Sequence, residues 1–365
     1  MTATELSTSS RPVGGKPRIL TGDTPTGRLH LGHYVGSVRR RVELQDSHDC
    51  YIIIANMHAF TTRVDKPGEI RADTLEIVRD YLAMGLDPEK ATIFLQSEVP
   101  AIAELTFLFA MLLPFNRVMR NPTLKTEIEL KGLGDAYSFG FPLYAVGQTA
   151  DILSFRPVGV PVGEDQVPHL ELTREVARRF NQIYCKVSDQ AEDDDHPSLG
   201  GVFPIPRADV GPVGRLIGTD GVNKMSKSLN NAIFISDSPK DVKKKMGKLY
   251  TGRMNPTDPG DINNALFQYV RTFIPDPERV KELERRYAAG DNIGDGHIKV
   301  EVADAINALL EPMRERRAKY EGRDDLVIDL LREGTRRANR VAEETLRMAK
   351  DAAGLGFWKR SVTVA

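Results

Sequence analysis

Two histidines three positions apart, His30 and His33 in "DTPTGRLHLGH", follow a short apolar run, Arg18-Ile-Leu-Thr-Gly22, that reads as a buried strand. Beyond them Val35, Val38, Val42 and Leu44 recur near helical spacing. The pair therefore opens a helix at a strand-to-helix turn, where free N–H groups and the positive dipole end favour an anion. Two lysines with the same spacing stand far along the chain, Lys224 and Lys227 in "KMSKS", after the turn Gly221-Val-Asn223. Small neighbours let such a loop move, and ammonium groups are counter-charges for phosphate. Alone this is a solvated basic loop; beside the histidine turn it reads as a phosphate clamp. A third set, Tyr144, Gln148 and Asp151, shares one helix face by spacing. Asp151 is flanked by Ala150, Ile152 and Leu153, an unusual setting for a merely solvated charge. A wrong ligand that left such a group unpaired would lose about 1–3 kcal/mol.

The elements that must position these residues alternate. Strand-like runs at Arg18–Gly22, Tyr51–Ala55, Ala91–Gln96 and Gly159–Val162 are separated by helix-like ones at Tyr34–Ser47, Ile70–Gly85, Leu105–Leu113, Val146–Phe155 and Glu171–Tyr184. A polar stretch, Asn116 to Tyr137, reads as irregular. This alternation predicts an α/β fold with a Rossmann-like, doubly wound parallel sheet over residues 16–230. From Pro239 onward only helical patterns remain: Lys240–Tyr250, Ile262–Phe273, Pro277–Ala289, Lys299–Tyr320 and Asp325–Ala352. Residues 231–365 are accordingly expected to form an all-helical domain, whose last helix could return to the first domain. Residues 1–15, rich in Ser and Thr, read as a disordered tail without the basic-then-apolar pattern of a signal peptide.

Composition narrows the class. With 365 residues, 41% hydrophobic and 28% charged, the chain has room for two domains and none of the bias of disorder. The longest apolar run, Leu105 to Phe115, is too short to cross a bilayer. Cys50 and Cys185 make neither a disulfide framework nor a zinc-ligand spacing, so no protein-held metal and a reducing, cytoplasmic setting are expected. A net charge of −1 gives no bulk argument for nucleic acid, and any such partner must be met by local patches.

Together these residues resemble the class I aminoacyl-tRNA synthetases, whose signature pair is "HLGH" followed by "KMSKS" on an alternating α/β chain. Within that class the chain is similar to the tryptophanyl branch, through Pro25-Thr-Gly27, Asp87-Pro-Glu-Lys90, Gln96-Ser-Glu-Val-Pro100, Ala150-Asp-Ile-Leu153, Val162-Gly-Glu-Asp-Gln166 and His169-Leu-Glu-Leu-Thr-Arg174. The likeness runs from about Arg18 to about Met348. It implies ATP-dependent activation of L-tryptophan to tryptophanyl-adenylate with release of pyrophosphate, assisted by Mg²⁺, then transfer to the 3′ end of tRNA(Trp). It also implies an anticodon-binding helical domain and a cytoplasmic homodimer with a contribution from an inserted segment at about 101–137.

Residue by residue, the resemblance assigns His30, His33, Lys224 and Lys227 to catalysis. It assigns Thr24, Gly32, Gly163, Asp165, Met225, Ser226 and Ser228 to ATP, with Met225 near the adenine. Gly22, His58, Tyr144, Gln148, Asp151, Val160, Val162 and Gln166 are assigned to tryptophan, with Asp151 accepting from the indole N–H and Gly22 packed against the ring. His58 reads equally well as a capped core histidine. Two departures match a divergent second bacterial type: Thr24 stands where many relatives have glutamine, and Gln148 where many have methionine. Tyrosyl-tRNA synthetases are the nearest alternative, because the Tyr-x-x-x-Gln-x-x-Asp helix occurs among them. Against them stand the start of Val162-Gly-Glu-Asp-Gln166 and the intact KMSKS. A duplicated, non-aminoacylating binding protein is the other, and retention of all four phosphate-handling residues speaks against it.

Overall fold

The computed structural model describes residues 15–130, 132–134, 137–163, 166–210 and 216–358. All but the last residue of the expected N-terminal tail lies outside them, as does Asp165. Five parallel strands form one sheet in the order β3-β2-β1-β4-β5: β1 (Arg18–Asp23), β2 (Asp49–Ile54), β3 (Ala91–Leu95), β4 (Gly159–Val162) and β5 (Arg207–Val210). Between β1 and β2 the chain forms α1 (Leu31–His33), a π-helical turn Tyr34–Val38 and α2 (Arg39–Leu44). Next come α3 (Phe60–Arg63) and α4 (Pro67–Met84), then, after β3, α5 (Pro100–Ala110), α6 (Phe115–Met119), α7 (Pro122–Leu130) and α8 (Gly140–Leu153). Helix α9 (Val167–Cys185) joins β4 to β5.

Strand β2 carries Ile52-Ile53-Ile54 because both of its faces are covered, as burial in a parallel sheet requires. Ile19, Cys50, Ile52, Ile54 and Ile93 face one core, while Leu20, Tyr51, Ile53 and Phe94 face the other. This is the doubly wound arrangement that the alternation predicts. Gly22 lets β1 and β2 close up at their ends, since a Cβ there would lie 2.0 Å from the Ile53 carbonyl oxygen. That contact is with the neighbouring strand, so the fold itself demands the glycine that the resemblance assigns to the ring.

The remaining helices are α10 (Pro239–Gly247), α11 (Ala265–Phe273), α12 (Pro277–Ala289), α13 (Asp295–Ala318) and α14 (Asp324–Ala352). Side-chain caps set three of their starts: Ser238, Asn264 and Asp276 each accept a backbone N–H. Helix α14 lies back across β3, where the Thr335 hydroxyl accepts from Leu95 N at 3.2 Å and the Asn339 amide donates to the Glu98 carbonyl at 2.7 Å.

Four local expectations are corrected. The stretch Asn116–Tyr137 is largely helical, because Pro114 and Pro122 each initiate a helix and the Asn121 side chain accepts from Thr123 N at 2.9 Å. Helix α5 begins at Pro100 rather than Leu105, and α8 at Gly140 rather than Val146. Strand β5 is a half-exposed edge with no β-branched run to announce it.

Candidate active site

The polar groups converge where the parallel strands end at their carboxyl edge, around the change of direction between β1 and β4. Beyond β1 the chain turns through Gly27, whose φ of 93° suits glycine, and reaches His30 in extended conformation ahead of α1. His30 N donates to His33 Nδ1 at 3.2 Å, and the two rings meet at 40° with centroids 3.8 Å apart. The segment following KMSKS runs antiparallel to this turn: Leu31 N donates to Ile233 O at 2.9 Å, and Ile235 N to Leu29 O at 3.0 Å. Two signatures almost two hundred residues apart are thereby joined by backbone hydrogen bonds.

The KMSKS loop is set by Asn231, which accepts from Ser226 N at 2.7 Å and donates to Asp220 at 2.9 Å and to the Lys224 carbonyl at 3.2 Å. The Ser226 and Ser228 hydroxyls meet at 2.9 Å. Lys227 Nζ reaches the histidine turn, donating to the Thr26 carbonyl at 2.6 Å and to Thr26 Oγ1 at 3.0 Å. Lys224 is exposed, and Thr24 is exposed at the turn. Met225 is buried in the core under the turn, and a Cβ on Gly32 would lie 3.6 Å from its Cβ and 3.0 Å from the His30 ring. Gly32 therefore seats both side chains.

Burial, with the positive charges of Lys227 and Lys224 nearby, holds the His30 imidazole down to about 2, and the His33 imidazole falls to about 4 for the same leading reason. Both rings are neutral near pH 7, so they act as hydrogen-bonding groups and the lysines carry the charge. His30 Nδ1 is buried with no protein partner among the described residues. Burial also lowers Lys227, opposed by Asp73 and Asp80.

The second cluster builds on α8. Asp151 is almost fully buried, and its two carboxylate oxygens accept from Gln96 Nε2 at 2.8 and 2.9 Å. Gln96 Oε1 in turn accepts from the Met57 and His58 amides at 3.0 and 3.2 Å. His58 Nδ1 stands 3.6 Å from Asp151, and Gly147 makes room for the ring, since a Cβ there would lie 2.9 Å from Nε2. Tyr144 meets His58 edge-on at 5.9 Å between centroids, donates to Glu127 at 3.1 Å and lies 3.3 Å from His169 Nε2. Gln148 donates to Gln166 at 3.3 Å. Burial pushes the Asp151 carboxyl up to about 7 despite the Gln96 hydrogen bonds, and pulls His58 down to about 4. Val160 is buried in the core, while Val162 and Gly163 are half-buried at the end of β4. Gly163 O accepts from Gln166 N at 3.0 Å.

Most residues singled out in the sequence are thus brought into two adjoining polar clusters. Sequence reasoning missed Gln96 as a site residue and missed Asp23. Arg41 binds Asp23 at 2.6 Å, Tyr81 donates to it, and these groups overcome its burial and hold its carboxyl down to about 2, beside His33. Asp23 stands between Gly22 and Thr24, and Arg41 follows Arg39 and Arg40, so the local sequence carries no signal for either; their pairing is made by the fold. Among the described residues no group of three His, Cys, Asp or Glu side chains gathers to hold a metal, and no helix is long and apolar enough to cross a membrane.

Comparison with known proteins bears on this arrangement. Residues 13–311 match the family described as "tRNA synthetases class I (W and Y)". The tryptophan–tRNA ligase of Lactococcus lactis is 42% identical over 351 residues, 94% of this chain and 99% of that protein. That of Treponema pallidum is 43% identical over 343 residues, 93% and 97% of the two. The structure of tryptophanyl-tRNA synthetase from Campylobacter jejuni, complexed with ADP and tryptophan, matches with a TM-score of 0.78 at 31% identity, covering 93% of this chain and all of that one.

Proposed function

Because the chain belongs to the class I tRNA synthetases, in their tryptophan–tRNA ligase branch, and so activates tryptophan and charges tRNA, we propose that His30, His33, Lys224 and Lys227 handle the phosphates of ATP. The observation that carries this reading is the contact of Lys227 Nζ with Thr26 across the paired Leu29–Leu31 and Ile233–Ile235 segments. A carboxylate oxygen of tryptophan attacks the α-phosphorus in line, the bond to the bridging oxygen breaks, and pyrophosphate departs. Such a displacement needs alignment and charge compensation more than covalent help. The neutral imidazoles align the phosphates, and His30 Nδ1, which has no partner among the described residues, is a buried group in want of one. Lys227 exchanges the Thr26 oxygens for those of the leaving pyrophosphate, with Lys224 beside it. The 2′ hydroxyl of the terminal tRNA adenosine then attacks the carbonyl carbon of the adenylate, the bond from that carbon to the phosphate oxygen breaks, and AMP departs as the hydroxyl gives up its proton.

Mg²⁺ supplies further screening of the pyrophosphate charge when bound. Mg²⁺ binds mainly phosphate oxygens and water, so the nucleotide brings most of its ligands. Gly32, Gly163, Asp165, Met225, Ser226 and Ser228 complete the ATP site in this reading. For tryptophan, Asp151 accepts from the indole N–H, with Tyr144, Gln148, His58 and Gln166 around the ring and the amino-acid head. The tyrosyl and binding-protein alternatives are disfavoured, since the curated relatives compared are tryptophan enzymes and the catalytic set is intact.

The same reading gives residues 16–230 to catalysis and the following helices to the anticodon, in a cytoplasmic enzyme. It makes the protein a homodimer, and exposed Phe107 on α5, Met111 just beyond that helix and Phe115 on α6 offer apolar surface for it. Sedimentation of a Phe107→Asp variant checks that: a dimer becoming a monomer fits, a parent that is already monomeric does not.

The deciding assay is amino-acid-dependent ATP–pyrophosphate exchange. Exchange with tryptophan, and none with tyrosine or phenylalanine, is the expected result. Loss of exchange in Lys227→Ala is required by the assignment of that lysine; unchanged exchange would remove it.

A further inference from the structure

Behind the histidine turn lies a buried ion pair that no step above uses. Asp80, on α4, has no exposed surface, and its Oδ2 accepts at 2.6 Å from Leu29 N, the residue before His30. Its Oδ1 accepts from Arg317 Nε at 3.0 Å. Arg317 belongs to the last turn of α13 and also binds Glu76 at 2.5 Å and Glu321. One helical turn earlier, Arg314 Nε donates at 2.9 Å to the carbonyl of Asp237. The Asp237 side chain accepts from Phe234 N at 2.8 Å and from Lys245 at 2.6 Å. Helix α13 therefore grips both partners of the antiparallel pair: Leu29–Leu31 through Asp80, and Ile233–Ile235 through Asp237.

We propose that Asp80, oriented by Arg317, is a positioning residue for nucleotide binding, fixing the Leu29 amide so that the His30 turn faces the KMSKS lysines. The inference rests on the reading that this turn holds the phosphates of ATP. A buried ion pair contributes little net stability, so what it secures here is register. Only a carboxylate satisfies both donors, with one oxygen for the neutral Leu29 amide and one for the guanidinium. An amide in its place has one accepting oxygen and presents an N–H donor at the other position; the charged guanidinium takes the oxygen, and the Leu29 N–H is left facing another donor. The turn is then held for only part of the time, and apparent ATP affinity falls by that fraction. The tryptophan cluster, at α8 and the end of β3, is not connected to Leu29 by any of these bonds.

The test is Asp80→Asn alone and combined with Arg317→Met, in the ATP–pyrophosphate exchange assay. Asp80→Asn should raise KM for ATP about tenfold with KM for tryptophan little changed. The double variant frees the amide oxygen for Leu29 N and should return KM for ATP to near the parent value. A single variant equal to the parent, a double variant that is not restored, or parallel rises in both KM values would each overturn the proposal. His30→Ala in the same assay separates the premises. If it leaves ATP kinetics intact, the phosphate role of the turn falls; if it is impaired while Asp80→Asn is not, only the role of Asp80 falls.

Discussion

The Gln96 side-chain amide donates to both oxygens of Asp151, at 2.8 and 2.9 Å, while its own oxygen accepts the Met57 and His58 amides. One residue at the end of β3 thus orients the carboxylate on α8 and shapes the loop that carries His58. Burial works against ionisation of Asp151, and the Gln96 hydrogen bonds work for it.

Ionisation of Asp151 near pH 7 should govern tryptophan capture. The charged carboxylate is the stronger acceptor for an indole N–H, so kcat/KM for tryptophan is expected to rise with pH and level off above about 7. Asp151→Asn cannot ionise; its profile should lose this limb, and KM for tryptophan should rise by about 10- to 100-fold, the cost of one poorly satisfied buried contact. Steady-state exchange between pH 5.5 and 8.5, as about three units around that value, checks both statements. A limb that survives in the variant belongs to another group.

Removing the donors should move that limb rather than abolish it. In Gln96→Leu the carboxylate loses the two hydrogen bonds that favour its charged form, so the apparent value shifts upward and less tryptophan is bound at pH 7. The Met57 and His58 amides also lose their acceptor, which should lower stability by about 1–3 kcal/mol. The pH profile and a urea titration read these two effects separately, and a limb that shifts to lower pH contradicts the assigned direction.

Much of this site was legible because its chemistry is encoded locally. His30 with His33, Lys224 with Lys227, and Tyr144 with Gln148 and Asp151 each declare themselves by spacing within one element. The sheet was legible for the same reason, since a short β-branched run such as Ile52-Ile53-Ile54 suits a strand buried on both faces. What escaped depends on neighbours distant in sequence. Gln96 matters because β3 ends beside α8, 55 positions later, and Asp80 because Arg317 arrives from 237 positions away. The helices α6 and α7 were missed because their polarity was read as irregularity, although Pro122 after the capping Asn121 is a start signal.

Lys227→Ala should lower kcat for exchange by about a hundredfold or more, the range for deleting one preorganised charge-stabilising group. Among the described residues the hydrogen bonds of its ammonium group go to Thr26, so the fold and KM for tryptophan should persist. Lys227→Arg retains charge but not the compact ammonium, and should recover part of the rate. Equal loss in both variants would show that geometry, rather than charge alone, sets the contribution of this side chain.

The long-range support of the tryptophan cluster can be tested at Gly334. Helix α14 crosses the edge strand β3 so closely that a Cβ at this position would lie 1.8 Å from the Ile93 carbonyl oxygen, and the obstacle is backbone. Alanine gains about 1 kcal/mol over glycine in helix propensity, but here the helix must move off the strand, which costs about 1–3 kcal/mol or more. Thr335, next in sequence, would be drawn away from Leu95 N, the amide immediately before Gln96. Gly334→Ala should therefore unfold at lower denaturant concentration and show a raised KM for tryptophan with KM for ATP nearly unchanged. Unaltered stability would mean that α14 accommodates the methyl group without moving, and that its contact with β3 does not hold Gln96 in place.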